Sequence, residues 1–144
     1  MSTRSGITNW SKHSCFLISI TCLFAHIEPF AEVLLKYVED VYSKVGHSTK
    51  SVWSKDMDDL EEEYFLRKCI AFYKLMCFYK PGMKATKEKV YLLYDFAFER
   101  FQNYIDRNGD VFTALRCIQQ IFQKISPGLS MVCFILVYYF ALFV

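Results

Sequence analysis

The final 16 residues of the chain carry no charged side chain, and this run constrains the fold more than any other feature. Residues 129–144 read LSMVCFILVYYFALFV and follow a Ser-Pro-Gly turn. As a helix the run would span about 24 Å, slightly less than the roughly 30 Å of a bilayer core. A helix that is apolar on every side is either buried all round or surrounded by lipid. We therefore expect a membrane segment, with a fully buried core helix as the alternative. The residues assigned to this segment include Leu129, Val132, Phe134, Leu136, Phe140 and Leu142.

A second apolar run occupies 15–28 and follows a polar segment at 1–14 that is rich in Ser and contains no acidic residue. Three interpretations stay open. As a membrane or interfacial helix, the run is shorter than the roughly 20 residues that a span needs. As a secretory signal, it places Leu23 where the cleavage site requires a small residue. As a mitochondrial address, it has the expected acid-free start. This start favours a mitochondrial membrane, with the endoplasmic reticulum or another intracellular membrane as the alternative.

The region between the two apolar runs, 29–126, is predicted to be a helical domain. Apolar residues recur there at steps of three and four, and Pro81-Gly82 and Asn108-Gly109 separate the periodic segments. The predicted helices cover about 29–45, 54–80, 86–107 and 110–126. The fold class is therefore all-α, a small bundle of about four amphipathic helices with apolar helices at one or both ends. Residues 69–79 are apolar around nearly the whole circumference, which is typical of a central core helix.

Two of these helices have a defined apolar stripe. Across 29–45 the stripe consists of Ala31, Leu34, Val38, Val41 and Val45, and charged residues occupy the opposite side. The clearest pattern in the chain lies at 110–126, where apolar residues alternate steps of four and three. The packing stripe of this helix consists of Val111, Leu115, Ile118, Phe122 and Ile125, whereas Gln120 and Lys124 face away. We expect these stripes to pack and to carry no chemistry.

The sequence offers no residues for catalysis, metal binding or a cofactor. It contains three His and six Cys in separate segments, without a CxxC pair or a phosphate-binding glycine loop. Cys22 and His26 lie one helical turn apart, but two ligands do not make a metal site. Residues 106–110 resemble the start of a calcium loop but lack its turn glycine and final glutamate. Glu28, beside an apolar run, is the one carboxylate with a conceivable proton-handling role.

The charge and the composition of the chain indicate its partners. The formal charge of only +2 implies no nucleic-acid partner. A hydrophobic fraction of 53% suits a chain that is covered by other protein subunits and by the lipid bilayer.

Three functional hypotheses follow from these observations. The first hypothesis is a non-catalytic accessory subunit of a membrane protein complex. The second is a tail-anchored regulator that binds a partner helix, a layout that Bcl-2-type regulators share, although their groove motif is absent. The third is a soluble all-α binding protein.

Overall fold

Within the residues that the structure describes, the chain forms six α-helices and no strand. The structure, a computed structural model, describes residues 6–8, 15–44, 64–98 and 111–143, without the side chains of 15–16, 111–113, 137 and 140–143. The helices are α1 (Cys15–His26), α2 (Glu28–Lys44), α3 (Tyr64–Cys77), α4 (Lys87–Phe98), α5 (Val111–Ile125) and α6 (Pro127–Phe143). The described part of the chain is therefore all-α, as the sequence predicts.

Local sequence signals mark several helix ends. Pro29 is the second residue of α2, where its missing N–H costs nothing, and α2 turns away from α1 by 87°. After α3, Gly82 adopts a positive φ of 82°, a conformation that glycine reaches without a steric penalty. The N–H of Lys89 donates a hydrogen bond to Oγ1 of Thr86 at 3.4 Å. Thr86 therefore caps the start of α4.

Helix α3 lies at the centre of the bundle, where it packs against α1, α2, α4 and α5. Residues 69–72 are fully buried, as expected for a helix that is apolar on all sides. Edge-to-face aromatic contacts connect the helices through this centre. The ring of Phe24 lies 4.6 Å from that of Phe30 and 6.1 Å from that of Phe72. Phe30 also contacts Phe122 at 4.8 Å, so one ring bridges α1 and α5.

The architecture differs from the sequence prediction at the amino-terminal apolar run. The sequence predicts about four amphipathic helices with apolar helices at one or both ends, whereas the described residues form six helices and α1 contributes to their common core. Leu17, Ile20 and Phe24 are buried against α2, α3 and α5. The one polar side chain on this face, Thr21, donates a hydrogen bond to the carbonyl of Leu17 at 2.7 Å. An internally satisfied hydroxyl and three large apolar side chains suit α1 to a protein core.

The described helices lie in the segments for which the sequence predicts helices. The prediction of 29–45 corresponds to α2, and 110–126 corresponds to α5. The predictions of 54–80 and 86–107 correspond to α3 and α4 in their described parts, and 54–63 and 99–107 lie outside the described residues. The predicted apolar tail begins two residues later than α6 does.

Candidate interaction surface on the last helix

The last helix begins directly after α5 because of the Ser-Pro-Gly sequence between them. The N–H of Ser126 donates to the carbonyl of Phe122 at 2.8 Å, and the carbonyl of Ser126 accepts from Ser130 at 3.0 Å. Ser126 thus closes one helix and opens the next. Pro127 cannot donate the hydrogen bond that would continue α5, but it fits the first turn of a new helix. The chain therefore starts α6 with a single residue between the two helices.

One side of α6 packs on the bundle, chiefly against α5. Cys133 is fully buried, and Leu129 and Leu136 pack against the core at half-buried positions. These residues are spaced by four and three, so they lie on one stripe of the helix. Among the described side chains of α6, the bundle therefore covers one stripe of the helix.

The opposite side of α6 is a large exposed apolar surface. Six of the eight strongly exposed large apolar side chains in the described residues lie on this helix, and each is 38% to 60% exposed. We call them the outer face of α6: Met131, Val132, Phe134, Ile135, Tyr138 and Tyr139. Scattered exposed apolar residues are ordinary, but a contiguous patch of this kind marks a contact with a partner or a membrane.

The structure divides the predicted membrane segment between the two sides of α6. Val132 and Phe134 belong to the outer face, whereas Leu129 and Leu136 lie on the packed side. The side chains of Phe140 and Leu142 are outside the described residues. Met131, Ile135, Tyr138 and Tyr139 also belong to the outer face. The sequence could not separate the two sides, because a run that is apolar at every position has no periodicity to show which residues are covered.

The predicted packing stripe of α5 lies in the core as far as it is described. Leu115, Ile118 and Phe122 are fully buried, and Ile125 is half-buried against the same core. The side chain of Val111 is outside the described residues. On the opposite side of α5, Gln120 is exposed. Helix α5 therefore packs in the core with its apolar stripe, contacts α6 and exposes polar residues on its opposite side.

None of the described helices is by itself both long and apolar enough to cross a membrane, although α1 and α2 together would be as a sharply bent pair. Apolar residues of this helix pair form part of the bundle core, where Phe24, Phe30 and Leu34 are fully buried. Helix α6 has 17 residues, and its segment Pro127–Leu136 is short and apolar.

Of the residues considered for chemistry, Cys22, His26 and Glu28 lie in the described part of the chain, whereas 106–110 lie outside it. No cluster of three or more His, Cys, Asp or Glu is present among the described residues. Nδ1 of His26 lies 3.6 Å from Sγ of Cys22 and 2.8 Å from the carbonyl oxygen of Cys22. The shorter contact is a hydrogen bond from the ring N–H to the backbone within one turn of α1. Glu28 is an exposed residue at the start of α2, where a carboxylate stabilises the helix dipole.

The Cys69 thiol and the Tyr79 phenol are poor nucleophiles. Burial raises the pKa of the Cys69 thiol to about 12, although Lys68 and Lys124 oppose the shift. Burial also raises the pKa of Tyr79, whose hydroxyl donates to the carbonyl of Ile18 at 3.1 Å and so links α3 to α1. Both groups remain protonated at neutral pH, and a thiol without its thiolate form does not attack electrophiles.

No protein family, curated protein or solved structure matches this chain. The interpretation of the outer face of α6 therefore rests on its own residues and on their exposure.

Proposed function

We propose that the protein is a non-catalytic, membrane-associated subunit of a protein complex and that α6 inserts in the bilayer. The observation that carries this proposal is the outer face of α6, which exposes six large apolar side chains. Burial of about half of a Phe or Ile side chain contributes roughly 1 kcal/mol. Because six such side chains lie on one helix, the free energy gained by burying the whole outer face is several times that of a single exposed residue.

The chemistry of α6 favours lipid as the material that covers the outer face. The helix contains no acidic or basic residue, and its 17 residues extend about 26 Å, which is long enough to enter a bilayer core of roughly 30 Å but not to cross it. Backbone groups within a helix are satisfied internally, which is the condition for entering hydrocarbon. Because α6 packs chiefly against α5 through one side, its outer face can enter the lipid while the packed side stays on the bundle.

Two observations support a role in binding over a role in catalysis. Among the described side chains, the buried thiol and phenol nucleophiles Cys69 and Tyr79 have raised pKa values, and Cys22 and His26 form only a local contact. The exposed surface is instead distinguished by its apolar helix. We propose that other protein subunits and the bilayer are its partners, that it needs no cofactor, and that the membrane is mitochondrial.

A carbonate wash of membranes tests insertion with two matched double variants of the full chain. Phe134→Lys/Ile135→Lys places two charges on the outer face, whereas Gln120→Lys/Gln123→Lys places two charges on exposed positions of α5. A lysine at the centre of a membrane helix costs about 2.5–3.5 kcal/mol, so the first variant should be washed off. The second should stay with the membrane, as the unsubstituted chain does. The proposal is wrong if the unsubstituted chain is washed off or if both variants stay.

The native mass of the protein in mild detergent tests the role as a subunit. A complex subunit migrates with a stoichiometric set of partners. The variant Gln120→Lys/Gln123→Lys tests the polar side of α5: loss of partners from this variant would show that this side contacts them. A monomeric, folded chain after removal of 129–144 would instead support the tail-anchored regulator. A chain that never enters the membrane fraction would support the soluble binding protein.

A further inference from the structure

Residues 80–89, which connect α3 to α4 and form the first turn of α4, are strongly basic. This segment, which we call the basic turn, contains four lysines and one glutamate. Its net charge is +3, whereas the whole chain carries +2, so the remaining residues together carry −1. The basic turn therefore holds a local charge of +3 within ten residues.

The backbone holds the basic turn in a defined shape. The N–H of Met83 donates to the carbonyl of Lys80 at 3.3 Å, which closes a turn around Pro81 and Gly82. Pro81 restricts its own φ, and Gly82 supplies the positive φ of 82° that this turn requires. A preformed turn loses little conformational entropy when it binds a partner.

The side chains of the basic turn face water and include one apolar residue. Lys84, Lys87 and Lys89 are exposed, and Met83 is 44% exposed beside them. Nζ of Lys87 lies 5.6 Å from the ring centre of Tyr91. Nζ of Lys80 lies 3.4 Å from the hydroxyl of Tyr73. These aromatic contacts position two ammonium groups at the ends of the turn without neutralising their charge.

We propose that the basic turn binds the anionic headgroups of a lipid surface. Charge complementarity is the reason, because each lysine near an anionic membrane strengthens binding by about fivefold. Met83 favours lipid over a nucleic acid, since its apolar side chain can enter the interface between headgroups and acyl chains. The inference concerns a different element from α6 and does not require α6 to insert.

Vesicle flotation with the full chain tests this inference. One set of vesicles contains only neutral phosphatidylcholine, and the other also contains phosphatidylserine. The test variant is Lys84→Gln/Lys87→Gln/Lys89→Gln. The control variant, Lys36→Gln/Lys44→Gln/Arg116→Gln, removes three exposed positive charges from α2 and α5 and so changes the net charge equally.

Adding phosphatidylserine should strengthen binding of the unsubstituted chain and of the control variant. The test variant should lose this gain, by about 100-fold for three lysines, and high salt should remove it from all three chains. If the control variant loses the same gain in binding, the net charge of the chain and not the basic turn is responsible. If the chain binds single-stranded RNA and does not bind the vesicles, the partner of the basic turn is a nucleic acid. Either result overturns the inference. Binding to neutral vesicles reports α6 separately, so the two proposals can fail independently.

Discussion

Replacing Ile118 by aspartate should unfold the bundle, whereas the same replacement at Gln120 should have little effect. Ile118 is fully buried on the core side of α5, and Gln120 is exposed on the same helix. Loss of the buried isoleucine side chain costs about 1.5–3 kcal/mol. An unpaired buried carboxylate adds several kcal/mol. The sum exceeds about 5 kcal/mol, which is comparable with the whole stability of a typical domain of about 5–15 kcal/mol.

Urea unfolding in mild detergent, followed by circular dichroism, measures the difference. Ile118→Ala is the variant that remains folded and gives a value, with an expected cost of about 2–5 kcal/mol. Gln120→Asp should cost less than about 0.5 kcal/mol, as surface substitutions usually do. Comparable destabilisation by Asp at both positions of the isolated chain would refute the placement of α5, because it would require both sides of the helix to be buried. A loss confined to the assembled complex would instead place Gln120 at a subunit interface.

Two further predictions concern the core. Phe30→Ala removes the ring that contacts both Phe24 and Phe122. It should lower the free energy of unfolding by about 3–5 kcal/mol in the same assay. A loss below about 1 kcal/mol would contradict the aromatic contacts between α1, α2 and α5. Burial raises the pKa of Cys69 from 9.0 to about 12, so the folded chain keeps a proton that the unfolded chain loses, and the free energy of unfolding falls as pH rises above about 9. Cys69→Ala should make this decline shallower by up to about 1.4 kcal/mol per pH unit, and an unchanged slope would show that the thiol is not buried in solution.

The periodic segments of the sequence predicted an all-helical chain, because helix formation follows from local spacing. The alternation of threes and fours at 110–126 marks the segment in which α5 (Val111–Ile125) lies. Thr86 and Pro81-Gly82 marked the start of α4 and the turn before it through their side-chain and backbone chemistry. These signals depend on residues within one or two helical turns, so a single sequence contains them in full.

The sequence determined that the chain is helical and which segments are amphipathic, whereas only the tertiary structure decided which apolar surfaces are covered. On α2 the predicted residues Leu34 and Val38 are fully buried, Ala31 and Val41 are half-buried against the core, and Val45 lies outside the described residues. The structure adds Phe30 and Tyr42 to this buried side. The two apolar ends also differ in outcome. Helix α1 buries one face, with Leu17, Ile20 and Phe24, against α2, α3 and α5, whereas α6 packs along one stripe and exposes its outer face. Both runs are apolar on nearly every side, so their local sequences are equivalent. The difference arises from how many neighbouring helices reach each run, and contacts between distant segments have no signature in local periodicity.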